Sequence, residues 1–312
     1  MVALGAAMWG TDPVLRQGLA LHMPSAAIVA FEQALPTALL APFVWRGLRR
    51  ALRSFDRPDW LALIVLGCGS SALATLLFTM AFTYGRPDTP VLLQQVQPLF
   101  AVAGARLLLG ERLQRRYGLY LLGGLVGSYL VAFAHPLALG GVAGWAPALL
   151  AVSAAALWGL GTVLGRRLGA KIPFGELTAL RLFAGLLAAL IALGATGDGS
   201  AYFHMNAKAV LALVLLALVP GLLSLLVYYR GLRGTPASAA TLGELTFPVT
   251  ALVLDYLAFG TTLSGTQWVG LAVLVATITS MGVLRANGTP TGVEVPQLEP
   301  GTERSSPSRS AA

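Results

Sequence analysis

Leu92-Leu93-Gln94-Gln95-Val96-Gln97-Pro98 and, in the second half of the chain, Leu242-Gly243-Glu244-Leu245-Thr246-Phe247-Pro248 decide how this sequence reads. Each stretch interrupts an apolar run with polar side chains three apart and then a proline. At membrane depth such interruptions are kept where they line a cavity or pack against protein, because lipid cannot satisfy exposed polar groups.

The surrounding composition sets that depth. Of 312 residues, 56% are hydrophobic and 11% charged, with a mean hydropathy of +0.74, whereas about a quarter of a soluble domain is charged. Apolar runs long enough to cross a hydrocarbon core of about 30 Å recur along nearly the whole chain. The reading is an all-α integral membrane protein with ten spans, at 2 to 20, 25 to 44, 59 to 83, 89 to 109, 116 to 134, 145 to 165, 174 to 194, 208 to 229, 236 to 258 and 263 to 284. The first run lacks a basic leader and a small-residue cleavage site, so it reads as a retained helix. Cys68, the one cysteine, lies in an apolar run and reads as a small buried hydrophobe.

The net charge of +8 reports topology rather than nucleic acid. With the N-terminus inside, the inner loops collect Arg46, Arg49, Arg50, Arg53, Arg57, Arg112, Arg115, Arg116, Arg166, Arg167, Lys171, Arg230, Arg233 and Arg285; the outer ones hold Arg16, Arg86 and Lys208. That asymmetry predicts a plasma-membrane protein with both termini cytoplasmic. From 286 to 312 the composition shifts to Gly, Pro, Ser, Thr and Glu, which predicts a disordered cytoplasmic tail.

The two halves repeat. Ala6-Ala7-Met8-Trp9-Gly10 matches Ala155-Ala156-Leu157-Trp158-Gly159, Pro24 matches Pro173, Gly85 matches Gly234, Pro98 matches Pro248 and Gly110 matches Gly260. Units at 1–140 and 141–285 follow. Five spans per unit require the second to insert inverted, enclosing a central cavity. On Trp9-Gly10, Trp158-Gly159, Pro98, Pro248 and Gly110-Glu111-Arg112-Leu113, the chain resembles the ten-helix EamA-type members of the drug/metabolite transporter superfamily from Val2 to about Leu284. The second half departs from that last motif, reading Gly260-Thr261-Thr262-Leu263. The resemblance implies alternating access and export of amino acids, metabolites or drug-like amphipathic compounds.

Charges inside spans need an account, since one at the bilayer centre costs at least about 2.5 to 3.5 kcal/mol. Glu32 and Arg181 fall at equivalent positions of the two repeats, and so do Gln94 and Glu244. Depth, reckoned at about 1.5 Å per residue, predicts an outer cluster of Glu32, Gln94 and Gln97 and an inner one of Arg181, Glu244 and Thr241. Trp9 and Trp158 are candidate cavity walls, and Pro13, Pro98 and Pro248 candidate kinks. The bland alternative for these polar groups is glue between helices.

Asp12, before Pro13, marks a candidate break. Asp255 and Arg106 lie near span ends, where a long side chain reaches headgroup water. Tyr228 and Tyr229 read as interface anchors, and Gly123 and Gly127 as a close helix contact within or between protomers. His22, His135 and His204 offer no second ligand at metal spacing, so neither a metal nor a cofactor is expected. The glycine-rich phosphate loop that would point to ATP is lacking, and so is a nucleophile with a base at usable spacing. The reading is therefore a secondary transporter and not an enzyme. Its partners are a small-molecule substrate, protons and lipid, with coupling through Glu32 or Glu244, and Arg181 binding a substrate carboxylate or holding Glu244 ionised. Uncoupled facilitation is the alternative, and a lipid-modifying membrane enzyme the alternative from another class.

Overall fold

The computed structural model describes residues 1–84, 90, 93–113, 115–132, 145–260, 264–286 and 293–294. The expectations resting on Gly85, Arg86, His135 and Thr261 to Leu263 lie outside them, as does the tail beyond 286 apart from Val293–Glu294. That pair makes a two-residue antiparallel ladder with Arg112–Leu113.

Among the described residues, everything else with regular structure is helical. In chain order the helices are α1 (Val2–Trp9), α2 (Asp12–Ala20), α3 (Ser25–Arg53), α4 (Arg57–Thr83), α5 (Gln97–Leu109), α6 (Arg115–Ala132), α7 (Trp145–Gly169), α8 (Phe174–Thr196), α9 (Ala207–Leu232), α10 (Ala237–Glu244), α11 (Thr246–Phe259) and α12 (Gly265–Ala286). Among the described residues, six helical stretches are long and apolar enough to cross a membrane, and three shorter apolar helices accompany them. The protein is thus a multi-pass membrane protein. The first expected span is two short helices, because Pro13 lacks the N–H that would continue α1 into α2.

Helix pairing is symmetric in pattern. α3 packs along α8, and α6 along α12. α5 crosses α7 as α1 crosses α10 and α11, and α7 leans on α4 as α1 leans on α9. Both α4 and α9 widen into a π-helical turn midway, at Val65–Leu73 and Ala217–Leu223.

Glycine permits the tightest crossings. A Cβ on Gly10 would lie 2.8 Å from the Ala251 nitrogen, and one on Gly159 2.8 Å from the Ala101 nitrogen. In each Trp-Gly pair, then, the glycine lets two backbones touch, which is how helices associate where lipid removes the hydrophobic drive. Gly123 and Gly127 face Thr277 and Leu274 of α12, so that contact lies within one protomer.

The Gly-Glu-Arg-Leu motif is also structural. Gly110 ends α5 in the left-handed region at φ 65°, a conformation that favours glycine. Glu111 then caps α10, accepting from the Ala237 and Ser238 backbone N–H groups at 2.8 and 3.0 Å and from the Ser238 hydroxyl at 2.5 Å. A buried carboxylate at the positive end of a helix satisfies donors that the helix cannot. Glu111→Ala is expected to cost about 1 to 3 kcal/mol, read as a lower Tm in detergent, while Glu111→Gln, which keeps one acceptor oxygen, loses less.

One end of the bundle gathers the basic loops. Asp56 and Asp59 form a reciprocal cap at the start of α4; buried Asp59 accepts from Arg167 Nε at 3.3 Å and pairs with Lys171. The Asp59 backbone N–H, and then Lys171, hold the Asp56 carboxyl below its usual range. Arg166 donates to the Leu232 and Arg233 carbonyls, so the loops after α3, α7 and α9 interlock at this end.

Candidate functional site

Between the halves lies a cavity with about 120 Å³ of space for water-sized groups. Trp9, Phe78, Trp158, Leu225, Tyr228 and Phe247 give it aromatic and apolar walls, and Asp12, Arg16, Glu32, Gln33, Gln94, Gln97 and Arg181 give it polar ones. The tryptophans are held by neighbours, with Trp9 tilted against Tyr228 at 4.8 Å and Trp158 edge-on to Phe78 at 5.0 Å. Of the residues singled out in the sequence, Glu32, Arg181, Gln94, Gln97, Trp9 and Trp158 line this wall. Glu244 sits behind it, bonded to three lining residues.

The pairings differ from those expected. Glu32 does not meet the glutamines; it takes the Arg16 guanidinium at 2.9 and 3.0 Å. Arg16 also grips Asp12 through Nε at 2.6 Å and donates to the Thr79 hydroxyl at 2.9 Å. Although assigned to an outer loop by its position, Arg16 is 1% exposed. The break after Trp9 starts α2 at Asp12, so Asp12 and Arg16 fall four apart on one face. That spacing, inside an apolar span, is the signal the sequence carried.

Gln97 belongs instead to Glu244, donating from Nε2 to Oε2 at 2.8 Å. The depth estimate took straight helices, but α5 begins only at Gln97, after a turn at Gln95 and Val96, and α10 ends at Glu244. Both breaks bring their polar residues to the level where α5 and α10 meet. The other Glu244 oxygen accepts from Thr162 at 3.0 Å and from Tyr228 at 2.5 Å. Pro98 and Pro248 each lie in the first turn after a break, and Pro13 opens α2.

Arg181 forms no ion pair with Glu244. Its Nε donates to Ser71 at 2.6 Å, one terminal nitrogen to the Tyr229 hydroxyl at 2.6 Å and the other to Ser70 at 3.5 Å. Tyr228 and Tyr229, read as interface anchors, are buried at 1% and 2% exposure and serve the two charges. Tyr228 occupies the repeat position of Thr79, which serves Arg16, a correspondence visible in the sequence at the offset that sets Glu32 over Arg181. Thr241 is elsewhere: its hydroxyl donates to Ser238 O and contacts Tyr117, joining α10 to α6. Asp255 falls on α11, with its side chain outside the described residues. Arg106 is exposed, and Cys68 bonds weakly to the Ala184 carbonyl at 3.5 Å.

Two acceptors remain open. The buried amide oxygens of Gln33 and Gln94 have no hydrogen-bond partner, and both residues line the cavity. A buried acceptor left unmade costs about 1 to 3 kcal/mol; the Gln33 oxygen is packed against α8 at Gly185.

The sequence pattern of the EamA-like transporter family matches residues 1–133 and again 145–283. The chain is 30% identical over 292 residues to a protein named riboflavin transporter ImpX of Fusobacterium nucleatum subsp. nucleatum, covering 91% of this chain and 97% of that one. A solved structure, titled only as the crystal structure of a protein, superposes with a TM-score of 0.68 at 20% identity, over 93% of this chain and 98% of the other. At that identity the likeness speaks for the fold alone.

Proposed function

Since the chain belongs to the EamA-like transporter family, we propose that this transporter carries a small, planar, amphipathic solute of the flavin class through the central cavity by alternating access, driven by protons through Glu244. The two units, 1–140 and 141–285, act as inverted repeats rocking about the cavity, which the symmetric helix pairing supports. The interlocked basic end faces the cytoplasm of a plasma-membrane protein, as the arginine distribution favours.

One observation carries the substrate class: aromatic walls and amide side chains share one cavity. Trp9, Phe78, Trp158 and Tyr228 offer stacking faces, while the amides of Gln33, Gln94 and Gln97 stand in the same wall. A flavin ring supplies a flat apolar face and an imide N–H. The name of the relative points the same way.

Glu244 is favoured over Glu32 as the proton site by its partners. Protonating Glu32 breaks one of the two ion pairs of Arg16 and leaves that cation on Asp12 alone, whereas Glu244 accepts only from neutral groups, so its protonation breaks no ion pair. Purified protein in liposomes is expected to accumulate riboflavin or a flavin derivative when a pH gradient is imposed, and to equilibrate it without one. Flux indifferent to the gradient would leave facilitation as the mechanism. An acid-outside gradient drives uptake by symport; the export implied by family resemblance requires the opposite response, and the two vesicle orientations separate them.

A further inference from the structure

We propose that Arg181 is the subsite for an anionic group of the solute, a carboxylate or a phosphate, so that the carried compound is an anion with a planar ring. This rests on the reading that the cavity binds the transported solute. The two arginines of the cavity wall contrast. Arg16 is saturated by two carboxylates, Asp12 and Glu32. No carboxylate among the described residues lies within ion-pair distance of Arg181; its partners are hydroxyls of Ser70, Ser71 and Tyr229.

A guanidinium has five N–H donors in a planar fork, matched to a carboxylate or phosphate edge. Three hydrogen bonds are made here, one of them long, which leaves donors for a ligand. The site is also built to hold the fork in place. Tyr229 both accepts from Arg181 and lies beneath it, with the guanidinium carbon 5.7 Å from the ring centre, while Ser71 fixes Nε. A cation held at membrane depth without an anion is costly, and chains keep one there where function needs it. Glu244 is its electrostatic neighbour but not its partner: adjacent Tyr228 and Tyr229, rings 5.5 Å apart, hold one charge each. A solute anion would complete the pair that Glu244 leaves open.

Matched probes test this on the purified full-length transporter in detergent. Riboflavin is set against flavin mononucleotide, and indole-3-carboxamide against indole-3-carboxylate, so each pair shares a ring and differs in charge. At least one anionic member is expected to bind about tenfold more tightly than its neutral partner. Arg181→Gln should erase that preference without weakening the neutral member, and Arg181→Lys should keep part of it. Elution of each variant as a single folded species is the control, with Arg181→Lys standing in if Arg181→Gln does not fold.

If only the indole pair shows the preference, the flavin reading falls and the anion subsite stands. If Arg181→Gln weakens neutral and anionic members equally, or leaves the preference intact, the subsite is overturned. It is overturned as well if no anionic member outbinds its partner in either pair, including the case in which neither binds.

Discussion

Arg16→Met is expected to lower the stability of the folded transporter by about 3 to 5 kcal/mol, the range for removing one partner of a buried ion pair. The substitution keeps an unbranched stem and deletes the charged guanidinium. Asp12 and Glu32 are then left facing each other across a site 1% exposed at Arg16 and 8% at Glu32, and the Thr79 hydroxyl, which accepts from Arg16 and donates to the Thr75 carbonyl, does not replace the lost donor. Most of the loss is the desolvation of two unpaired carboxylates, so it should be recoverable. A triple variant, Asp12→Asn, Arg16→Met and Glu32→Gln, removes every charge at once and is expected to regain most of the wild-type Tm. Thermal unfolding in detergent reads both. If Arg16→Met melts with the wild type, the triad does not hold α2 against α3; if the triple variant melts with the single one, packing rather than charge is what Arg16 supplies.

How much of this could be read from the chain depends on the scale. The all-helical membrane fold and several residues of the cavity wall were legible, because each follows from position along the chain: hydropathy marks apolar helices, and polar residues inside them mark the wall. Glu32, Arg181, Gln94 and Gln97 all reach one cavity on that basis. Their partners were not legible, because pairing depends on where helices break. Reckoning depth along straight helices put Gln97 beside Glu32, while the turn at Gln95 and Val96 delivers it to Glu244. Arg16 was lost to a loop for the same reason: the break after Trp9 turns the end of a span into a separate helix with its own buried face. Tyr228 and Tyr229 show a different failure. Their place near a span end suggested headgroups, but α1 and α7 pack over that end of α9 and bury both rings.

The repeat symmetry also explains why the charges sit where they do. In the first half the cation comes from α2 and the acid from α3; in the second, the position of Arg16 is taken by Gly165, where a Cβ would lie 2.6 Å from the Tyr229 ring. Tyr229 fills that space, and the cation moves to α8 as Arg181. One half thus closes its charges on itself, while the other keeps a cation and an acid apart across two tyrosines. The chain thus holds one arginine closed by two carboxylates and one held by hydroxyls alone.

Glu244→Gln should therefore uncouple transport while sparing binding. The amide keeps an oxygen for Tyr228 and Thr162 and stays within reach of Gln97, so the wall keeps its shape, but it cannot take up or release a proton at physiological pH. With Glu244 ionised, the site couples one acid to the Arg181 cation at a distance; a solute anion arriving at Arg181 would meet that negative charge. Loading a proton on Glu244 together with the anion leaves the net charge of the cavity unchanged, which is the electrostatic reason for the two to travel in the same direction. In liposomes the wild type is expected to accumulate solute at least tenfold under an acid-outside gradient of two pH units, and Glu244→Gln to equilibrate it and no more, with exchange of labelled for unlabelled solute retained at a comparable rate. Glu32→Gln is the contrasting variant: it removes one of the two carboxylates on Arg16, loosens α2 from α3 and should reduce exchange and accumulation together. Retention of gradient-driven accumulation in Glu244→Gln would assign the proton elsewhere, and loss of exchange in that variant would make Glu244 part of solute binding instead of its coupling.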